Sequence, residues 1–351
     1  MAIHSQFVLD PSLNVPINPQ LKCGEEWTAV NGTDDDDDDD DDHFRHPSPI
    51  TFHVTLPAMR DDDRIVKLTF NTRDKSSGVL LPWEPRATSK PDDDDNDNVG
   101  DPYFFERGFY LEAKTGFQPW PGTRLMIEAF TCMKNERMDY WQMRLARNDL
   151  TILEVGAGVG IVGTCLAAVG GNVLVTDLSV LVEHGIMPNL RRNDRRRHHR
   201  ARDGNDVAAP PEGGRLDDFF LDSRDRHRIE DGWAQAVVLD WFVPISEQIP
   251  RTTSSALDVI VACDCMWMRK LIDPLFSVIS TLFRQSSNRP SFLFTYQRRN
   301  MTGVFIGMEE LLERIERRGW IVECIAWRTI AVEGDGEQDL HLFEVMPAKS
   351  F

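Results

Sequence analysis

The sequence predicts an α/β fold: a seven-stranded, mostly parallel sheet with helices on both faces, preceded by an N-terminal β-hairpin. Three observations lead to this prediction. From about Trp120 onward, short apolar segments alternate with helical ones, which is typical of a parallel sheet covered on both faces. A glycine-rich turn follows the first of these apolar segments. Further upstream, two segments alternate apolar with polar residues, which is the period of half-buried strands.

The two upstream segments cover residues 50–56 and 65–70, and an acidic turn at residues 61–63 lies between them. Two alternating segments joined by a polar turn predict an antiparallel hairpin. We expect this hairpin to cap the larger domain that follows it in the chain.

Seven segments are predicted to form the main sheet, because each is a short apolar run bounded by polar or turn residues. They cover residues 151–155, 172–176, 235–239, 257–263, 291–296, 320–327 and 339–346. Residues 191–231 lack apolar periodicity and include an arginine-rich run, so they are predicted to be a disordered insertion. The arginines are compatible with contacts to an acidic substrate, to nucleic acid or to the aspartate tracts of the same chain, and also with a solvated loop.

The acidity of the chain is concentrated in two short tracts. The 351 residues carry a formal net charge of −18, but fourteen aspartates lie at residues 34–42 and 92–97, and without them the charge is −4. Hydrophobic residues make up 41% of the chain, which is enough for a substantial core. We therefore predict a disordered acidic segment at residues 1–47, and the hairpin with an acidic linker at residues 48–114.

Targeting and metal signals are missing from the sequence. The first residues lack a basic start followed by an apolar segment, and no run approaches the roughly 18 apolar residues of a membrane span. The six cysteines form neither a disulfide framework nor a zinc spacing, and Cys263 and Cys265 are the one close pair. We expect a protein of the cytoplasm, and also of the nucleus, with no bound metal.

The residues after the first predicted strand indicate a cofactor site. Glu154 ends the strand, and glycines follow at positions 156, 158, 160 and 163 before a helical run. Glycine lets the backbone turn sharply and lets a ligand approach without a Cβ in the way, while the following helix offers its first N–H groups. The loop reads E-x-G-x-G-x-G, yet it also satisfies the G-x-G-x-x-G of dinucleotide enzymes. Taken alone, it leaves two cofactor classes open.

Residues at other strand ends extend the predicted site. Asp177 ends the second strand, where a carboxylate can accept hydrogen bonds from both hydroxyls of a ribose, and capping of the next helix is the alternative. Trp241 follows the third strand and could stack on an adenine. Trp120 precedes a helix that could lie across the cofactor. For both tryptophans, packing in the core is the alternative.

Together these features resemble the seven-strand lysine methyltransferases often called family 16, over residues 115–347. The resemblance rests on Thr115-Gly116, Trp120-Pro121, the loop from Glu154 to Gly160, Val175-Thr176-Asp177-Leu178, Leu239-Asp240-Trp241, and residues 258–267 and 339–345. It implies a Rossmann-like class I methyltransferase domain at residues 115–351, with S-adenosylmethionine as its cofactor.

The resemblance also implies roles for individual residues. The cofactor would contact Trp120, Gly156, Ala157, Gly158, Asp177, Trp241 and Cys263. Asp264 would position the acceptor amine, and Trp267 would shape its channel. The family's D-x-x-Y motif reads Asp264-Cys265-Met266-Trp267 here, so an indole replaces the phenol at the substrate end.

The expected activity is methyl transfer to a lysine of an intracellular protein, and the resemblance points to chaperones and translation factors as targets. We expect a monomer that has no membrane or nucleic-acid partner. Two alternatives stay open at this point. One is an NAD(P)-dependent oxidoreductase, favoured by the embedded G-x-G-x-x-G, and the other is a non-catalytic S-adenosylmethionine-binding or scaffold protein, favoured by Trp267 and the charged insertions.

Overall fold

The computed structural model describes the residues that form the main domain and the strand pair before it. These are residues 10–14, 49–55, 65–72, 116–117, 119–196, 218–222, 225–298, 305–332 and 336–348. Several predictions lie outside them: the disordered acidic segment at residues 1–47, except for residues 10–14, the acidic linker at residues 92–97, and the arginine-rich run from residue 197 onward.

The main sheet has eight strands: β3 (Thr151–Val155), β4 (Asn172–Asp177), β5 (His227–Ile229), β6 (Gly232–Val238), β7 (Val259–Cys263), β8 (Ser291–Gln297), β9 (Trp320–Val332) and β10 (Gly336–Pro347). Across the sheet their order is β5-β6-β4-β3-β7-β8-β10-β9. The five strands from β6 to β8 run parallel, while β5 at one edge and β10 and β9 at the other are antiparallel to their neighbours. The predicted α/β class is thus confirmed, with a mostly parallel sheet.

The predicted count of seven strands was wrong, because β5 was missed. This strand has three residues and pairs with β6 through a tight antiparallel turn, in which Ile229 lies opposite Gly232. A strand this short has no readable period, and it lies inside the predicted insertion at residues 191–231. That insertion was drawn too wide, because Arg191 to Asn193 end a helix and residues 225–231 are ordered on the sheet edge. Residues 197–217 and 223–224 lie outside the described ranges.

Helices cover both faces of the sheet, as the alternation of segments predicted. Successive β3 residues serve opposite cores: Ile152 packs on one side, and Leu153 and Val155 pack on the other. This is why the strands read as continuous apolar runs. The helices are α1 (Pro121–Thr131), α2 (Glu136–Ala146), α3 (Ile161–Ala168), α4 (Ser179–Leu181), a π-helical turn (Val182–Ile186), α5 (Met187–Asn193), α6 (Arg251–Ser255), α7 (Arg269–Gln285) and α8 (Met308–Glu316).

The predicted hairpin is present as the antiparallel pair β1 (Pro49–Thr55) and β2 (Ile65–Asn71), with Val54 opposite Val66. Leu68 and Phe70 are buried and join the core that α3 and α5 also line. The strand pair therefore packs on the main domain through an apolar face. None of the helices within the described ranges combines the length and apolar character that a membrane span needs.

Candidate active site

A cleft opens at the carboxyl ends of the parallel strands, where the strand order reverses between β3 and β7. This is the place where open α/β sheets bind ligands. Its empty volume, including the part open to solvent, is about 1010 Å³. The structure brings all nine predicted site residues to this cleft. They are Trp120, Gly156, Ala157, Gly158, Asp177, Trp241, Cys263, Asp264 and Trp267.

The glycine loop forms the floor of the cleft. Gly156, Gly158 and Gly160 all have left-handed backbone angles, with φ of 67°, 59° and 78°. A Cβ on Gly156 would lie 2.6 Å from Cys265 Sγ and 3.1 Å from a Trp241 ring carbon. A Cβ on Gly158 would lie 2.4 Å from the carbonyl oxygen of Gly116. The loop therefore needs glycine both for its conformation and for the close approach of its neighbours.

Glu154 is a buried carboxylate at the base of the loop. Its Oε2 accepts a hydrogen bond from the Gly163 amide of α3 at 2.8 Å, which ties the strand end to the helix start. Burial raises the pKa of Glu154 from about 4.5 to about 8, against the lowering effect of the Gly163 amide and with a smaller raising effect from the charge on Asp177. A positive ligand in the cleft would lower this pKa again.

Asp177 lies beside the glycine loop at the end of β4. Its two carboxylate oxygens accept hydrogen bonds from the Gly158 and Leu178 amides, each at 2.7 Å. Burial raises the pKa of Asp177 to about 6, although both amides act in the lowering direction. The alternative role as a helix cap does not hold, because Leu178 is the N-cap residue of α4. The carboxylate instead lines the cleft.

Asp264 links three elements at the far side of the cleft. Its Oδ2 accepts a hydrogen bond of 2.7 Å from the Gly122 amide in the first turn of α1, and its own amide donates to Thr295 Oγ1 of β8 at 3.1 Å. Its backbone is left-handed, with φ of 52°, a conformation that few residues other than glycine, asparagine and aspartate adopt. The carboxylate is thus held against the start of the helix that carries Trp120 as its N-cap.

Cys265 is a lining residue that the sequence analysis considered only as a possible metal ligand. Its Sγ lies 3.1, 3.3 and 3.4 Å from the carbonyl oxygens of Cys263, Gly156 and Val155, so its one S–H proton has three acceptors within reach where the end of β7 meets the glycine loop. Burial raises the pKa of the Cys263 and Cys265 thiols well above the usual range, so both stay protonated at neutral pH. Within the described ranges, no group of three or more potential ligands could hold a metal ion.

Aromatic side chains also contribute to the cleft. Trp267 stacks on Phe305, with ring centroids 5.6 Å apart and an interplanar angle of 26°. Phe242 follows Trp241 at the rim and is half exposed. The sequence analysis missed Phe242 and Phe305: Phe242 carried only its position next to Trp241 as a signal, and Phe305 lies 38 positions from Trp267 with no motif around it.

The cleft carries negative charge. Three aspartates line it, Asp177, Asp240 and Asp264, together with Glu154, whose raised pKa keeps it mostly protonated at neutral pH until a positive ligand binds. None of its lining residues in the described part of the chain is Lys, Arg or His. Such a site favours positively charged ligands and disfavours a pyrophosphate, which carries negative charge. The electrostatics therefore distinguish the two cofactor classes that the glycine loop left open.

The raised pKa values of Glu154 and Asp177 predict how the stability of the ligand-free protein depends on pH. Since the folded state holds protons on these groups that the unfolded state releases, their contribution is fully present below about pH 4 and is lost as the pH rises through about 6 and then about 8. We expect a higher free energy of unfolding in urea at about pH 5.5 than at about pH 8.5.

The variant Glu154→Gln should reduce this pH dependence, because its amide oxygen can still accept from Gly163 but does not titrate. Glu310→Gln is the control: hydrogen bonds from Arg269 and Arg314 lower the pKa of Glu310, so it titrates below this pH range and its removal should leave the slope unchanged. An equal slope in wild type and Glu154→Gln would contradict the assignment of this titration to Glu154.

Comparison with known proteins gives one family and several structures. The model of a family described as lysine methyltransferase matches residues 112–202 and 225–311, about half of the chain. Among curated proteins, no sequence matches. The chain is similar to a putative transferase, PH0793, from Pyrococcus horikoshii, with 12% identity over 66% of each chain and a TM-score of 0.37.

Two further solved structures are similar at a comparable level. Magnesium protoporphyrin IX methyltransferase from Synechocystis PCC 6803, with bound SAH, has 9% identity over 70% of this chain and 97% of that chain, with a TM-score of 0.37. The N-methyltransferase NodS from Bradyrhizobium japonicum WM9 has 13% identity over 60% of this chain and 88% of that chain, with a TM-score of 0.33.

Proposed function

Because the chain belongs to the lysine methyltransferase family, we propose that it transfers methyl groups to a lysine side chain of an intracellular protein. Membership makes the protein a methyltransferase with S-adenosylmethionine as its cofactor, and the lysine acceptor is the part that we infer. The observation that carries the inference is the buried Asp264 carboxylate, which lines the same cleft as the aromatic ring of Trp267.

The residues of the cleft fit the cofactor. When bound, S-adenosylmethionine supplies a methyl group on a positively charged sulfur, and the carboxylates of the cleft complement that charge. Gly156, Ala157 and Gly158 line the cleft, so the loop backbone offers a surface to the ligand. Asp177 would accept hydrogen bonds from ribose hydroxyls, and Trp241 would offer its ring to the adenine.

An acceptor amine needs positioning and a dry surrounding more than it needs a base. The free pKa of lysine is about 10.4, and both desolvation and a neighbouring positive charge lower it, which favours the neutral nucleophile. Asp264 would orient the amine by accepting a hydrogen bond from it, and the stacked rings of Trp267 and Phe305 would form the wall of the channel. Alignment of the nucleophile with the methyl group then accounts for most of the catalysis.

The family also decides the choice that the glycine loop left open. An NAD(P)-dependent oxidoreductase rested on the embedded G-x-G-x-x-G alone, and no basic residue lines the described part of the cleft to favour a dinucleotide. We propose chaperones and translation factors as the acceptor proteins. The cytoplasm and nucleus are the proposed locations, and a monomer is the proposed oligomeric state.

The proposal is tested by incubating the protein with radiolabelled S-adenosylmethionine and a cell lysate, with Asp264→Asn as the inactive control. We expect labelled protein bands with the wild type only, and methyllysine after hydrolysis of those bands. Label on histidine or arginine would overturn the choice of acceptor. A wild type that binds S-adenosylhomocysteine but labels no protein would support the non-catalytic alternative.

A further inference from the structure

Two asparagines of α5 bind the backbone of the N-terminal strand β2. Asn189 Oδ1 accepts from the Asn71 amide at 2.7 Å, and Asn193 Oδ1 accepts from the Thr69 amide at 3.0 Å. Each side-chain amide also donates back to the carbonyl oxygen of the same strand residue, at 3.3 and 2.9 Å. The two asparagines therefore take the place of a neighbouring strand along the edge of β2.

The spacing of the two elements explains the match. Residues four apart on a helix rise by about 6 Å, and residues two apart on a strand rise by about 7 Å. Asn189 and Asn193 thus meet Asn71 and Thr69, which lie on the same edge of β2. The contact is specific in register and requires a side chain that both donates and accepts.

Asn189 makes one contact that Asn193 does not. Its Nδ2 also donates to the carbonyl oxygen of Val159 at 3.0 Å, and Val159 lines the cleft between the left-handed Gly158 and Gly160. The corresponding bond of Asn193 goes to the Asn189 carbonyl within the same helix. Since Asn189 is fully buried, water cannot replace its amide as the donor to Val159.

We propose that Asn189 is a positioning residue for the cofactor loop, and that it makes the strand pair β1 and β2 part of the cofactor-binding unit. This rests on S-adenosylmethionine as the cofactor of the cleft. Val159 lies between two glycines that have few conformational restrictions of their own, so a fixed direction of its carbonyl group selects the loop conformation that receives the ligand. No described residue of β1 or β2 lines the cleft, so the strand pair acts on the loop through contacts such as the hydrogen bonds of Asn189.

Linkage makes the coupling reciprocal: if the strand pair stabilises the binding form of the loop, a bound ligand stabilises the contacts of the strand pair. In the wild type, S-adenosylhomocysteine should therefore slow hydrogen exchange at the Thr69 and Asn71 amides. In Asn189→Ala, the ligand should no longer slow exchange at Thr69, whose bond to Asn193 is retained. If Asn189 contributed to stability alone, the ligand would still slow exchange at Thr69 in Asn189→Ala.

The decisive experiment compares Asn189→Ala with Asn193→Ala in the full chain, measuring S-adenosylhomocysteine affinity by calorimetry and the melting temperature without ligand. Both variants lose two hydrogen bonds to β2, so similar drops in melting temperature are expected. Only Asn189→Ala should weaken binding, by about fivefold or more, while Asn193→Ala stays within about twofold of the wild type. Asn189→Asp keeps an acceptor for Asn71 and loses the donor to Val159, so it carries the comparison if the alanine variant does not fold.

Weakened binding in the Asn189 variants alone, together with loss of the ligand effect on exchange, supports the proposal. Equal affinities in the Asn189 and Asn193 variants would overturn it and would leave the strand pair a structural role. If the wild type itself fails to bind S-adenosylhomocysteine, the cofactor assignment is wrong, and this proposal is wrong with it. If the wild type binds and the Asn189 and Asn193 variants bind with equal affinity, only the role of Asn189 is overturned.

Discussion

Replacing Asp264 by asparagine is expected to lower kcat for methyl transfer by about 100-fold or more, which is the usual scale for losing one oriented polar group at a reacting centre. Asparagine is nearly isosteric with aspartate, and its carbonyl oxygen can still accept from the Gly122 amide. The start of α1 and Trp120 should therefore stay in place. We expect the affinity for S-adenosylhomocysteine to remain within about threefold of the wild type, because the substitution affects the amine that accepts the methyl group and not the cofactor.

The alanine variant separates the two roles of this side chain. Asp264→Ala removes both the charge and the acceptor for Gly122, so it should also weaken cofactor binding through the displaced Trp120. Asp240→Asn is the matched control, since it removes a carboxylate from the same cleft while retaining an acceptor for the Phe242 amide. Its kcat should fall far less than that of Asp264→Asn. Full activity in Asp264→Asn would mean that Asp264 only anchors the helix.

The sequence predicted those parts of the site that are local in the chain. Glu154 and the glycines after it stand within ten residues. Four of the seven predicted strands, at residues 151–155, 172–176, 235–239 and 257–263, brought a polar or aromatic residue to the cleft because parallel strands end on the same edge. The helix after Trp120 was equally readable, because Pro121 occupies the first helical position. Local order and the family resemblance together gave the nine predicted residues.

What the sequence did not predict depends on pairs of residues far apart in the chain. The Gly122 amide meets Asp264 over 142 positions, and Asn189 meets Asn71 over 118. No period or motif encodes such contacts, which arise only when the sheet order and helix placement are known. Strand β5 was missed for a different reason, since three residues paired through a tight turn show no alternation to detect.

Gly158→Ala should abolish measurable cofactor binding, with a loss of about 100-fold or more in affinity for S-adenosylhomocysteine, because small displacements in a site have effects of this size. The new Cβ would lie 2.4 Å from the Gly116 carbonyl oxygen, so a backbone segment of the cleft must move. The left-handed φ of 59° adds a conformational cost of roughly 1 to 2 kcal/mol. Calorimetry on the purified variant measures the affinity.

Gly319→Ala isolates the conformational cost from the steric one. Gly319 follows α8 outside the cleft with a similar φ of 70°, and a Cβ there would have no neighbour within 4 Å. This variant should lose roughly 1 to 2 kcal/mol of unfolding free energy and bind S-adenosylhomocysteine like the wild type. If Gly158→Ala were destabilised no more than Gly319→Ala and bound the ligand equally well, the close contact between the glycine loop and Gly116 would not be part of the cofactor site. The pair of variants therefore tests whether position 158 requires glycine for the shape of the site or only for its backbone angle.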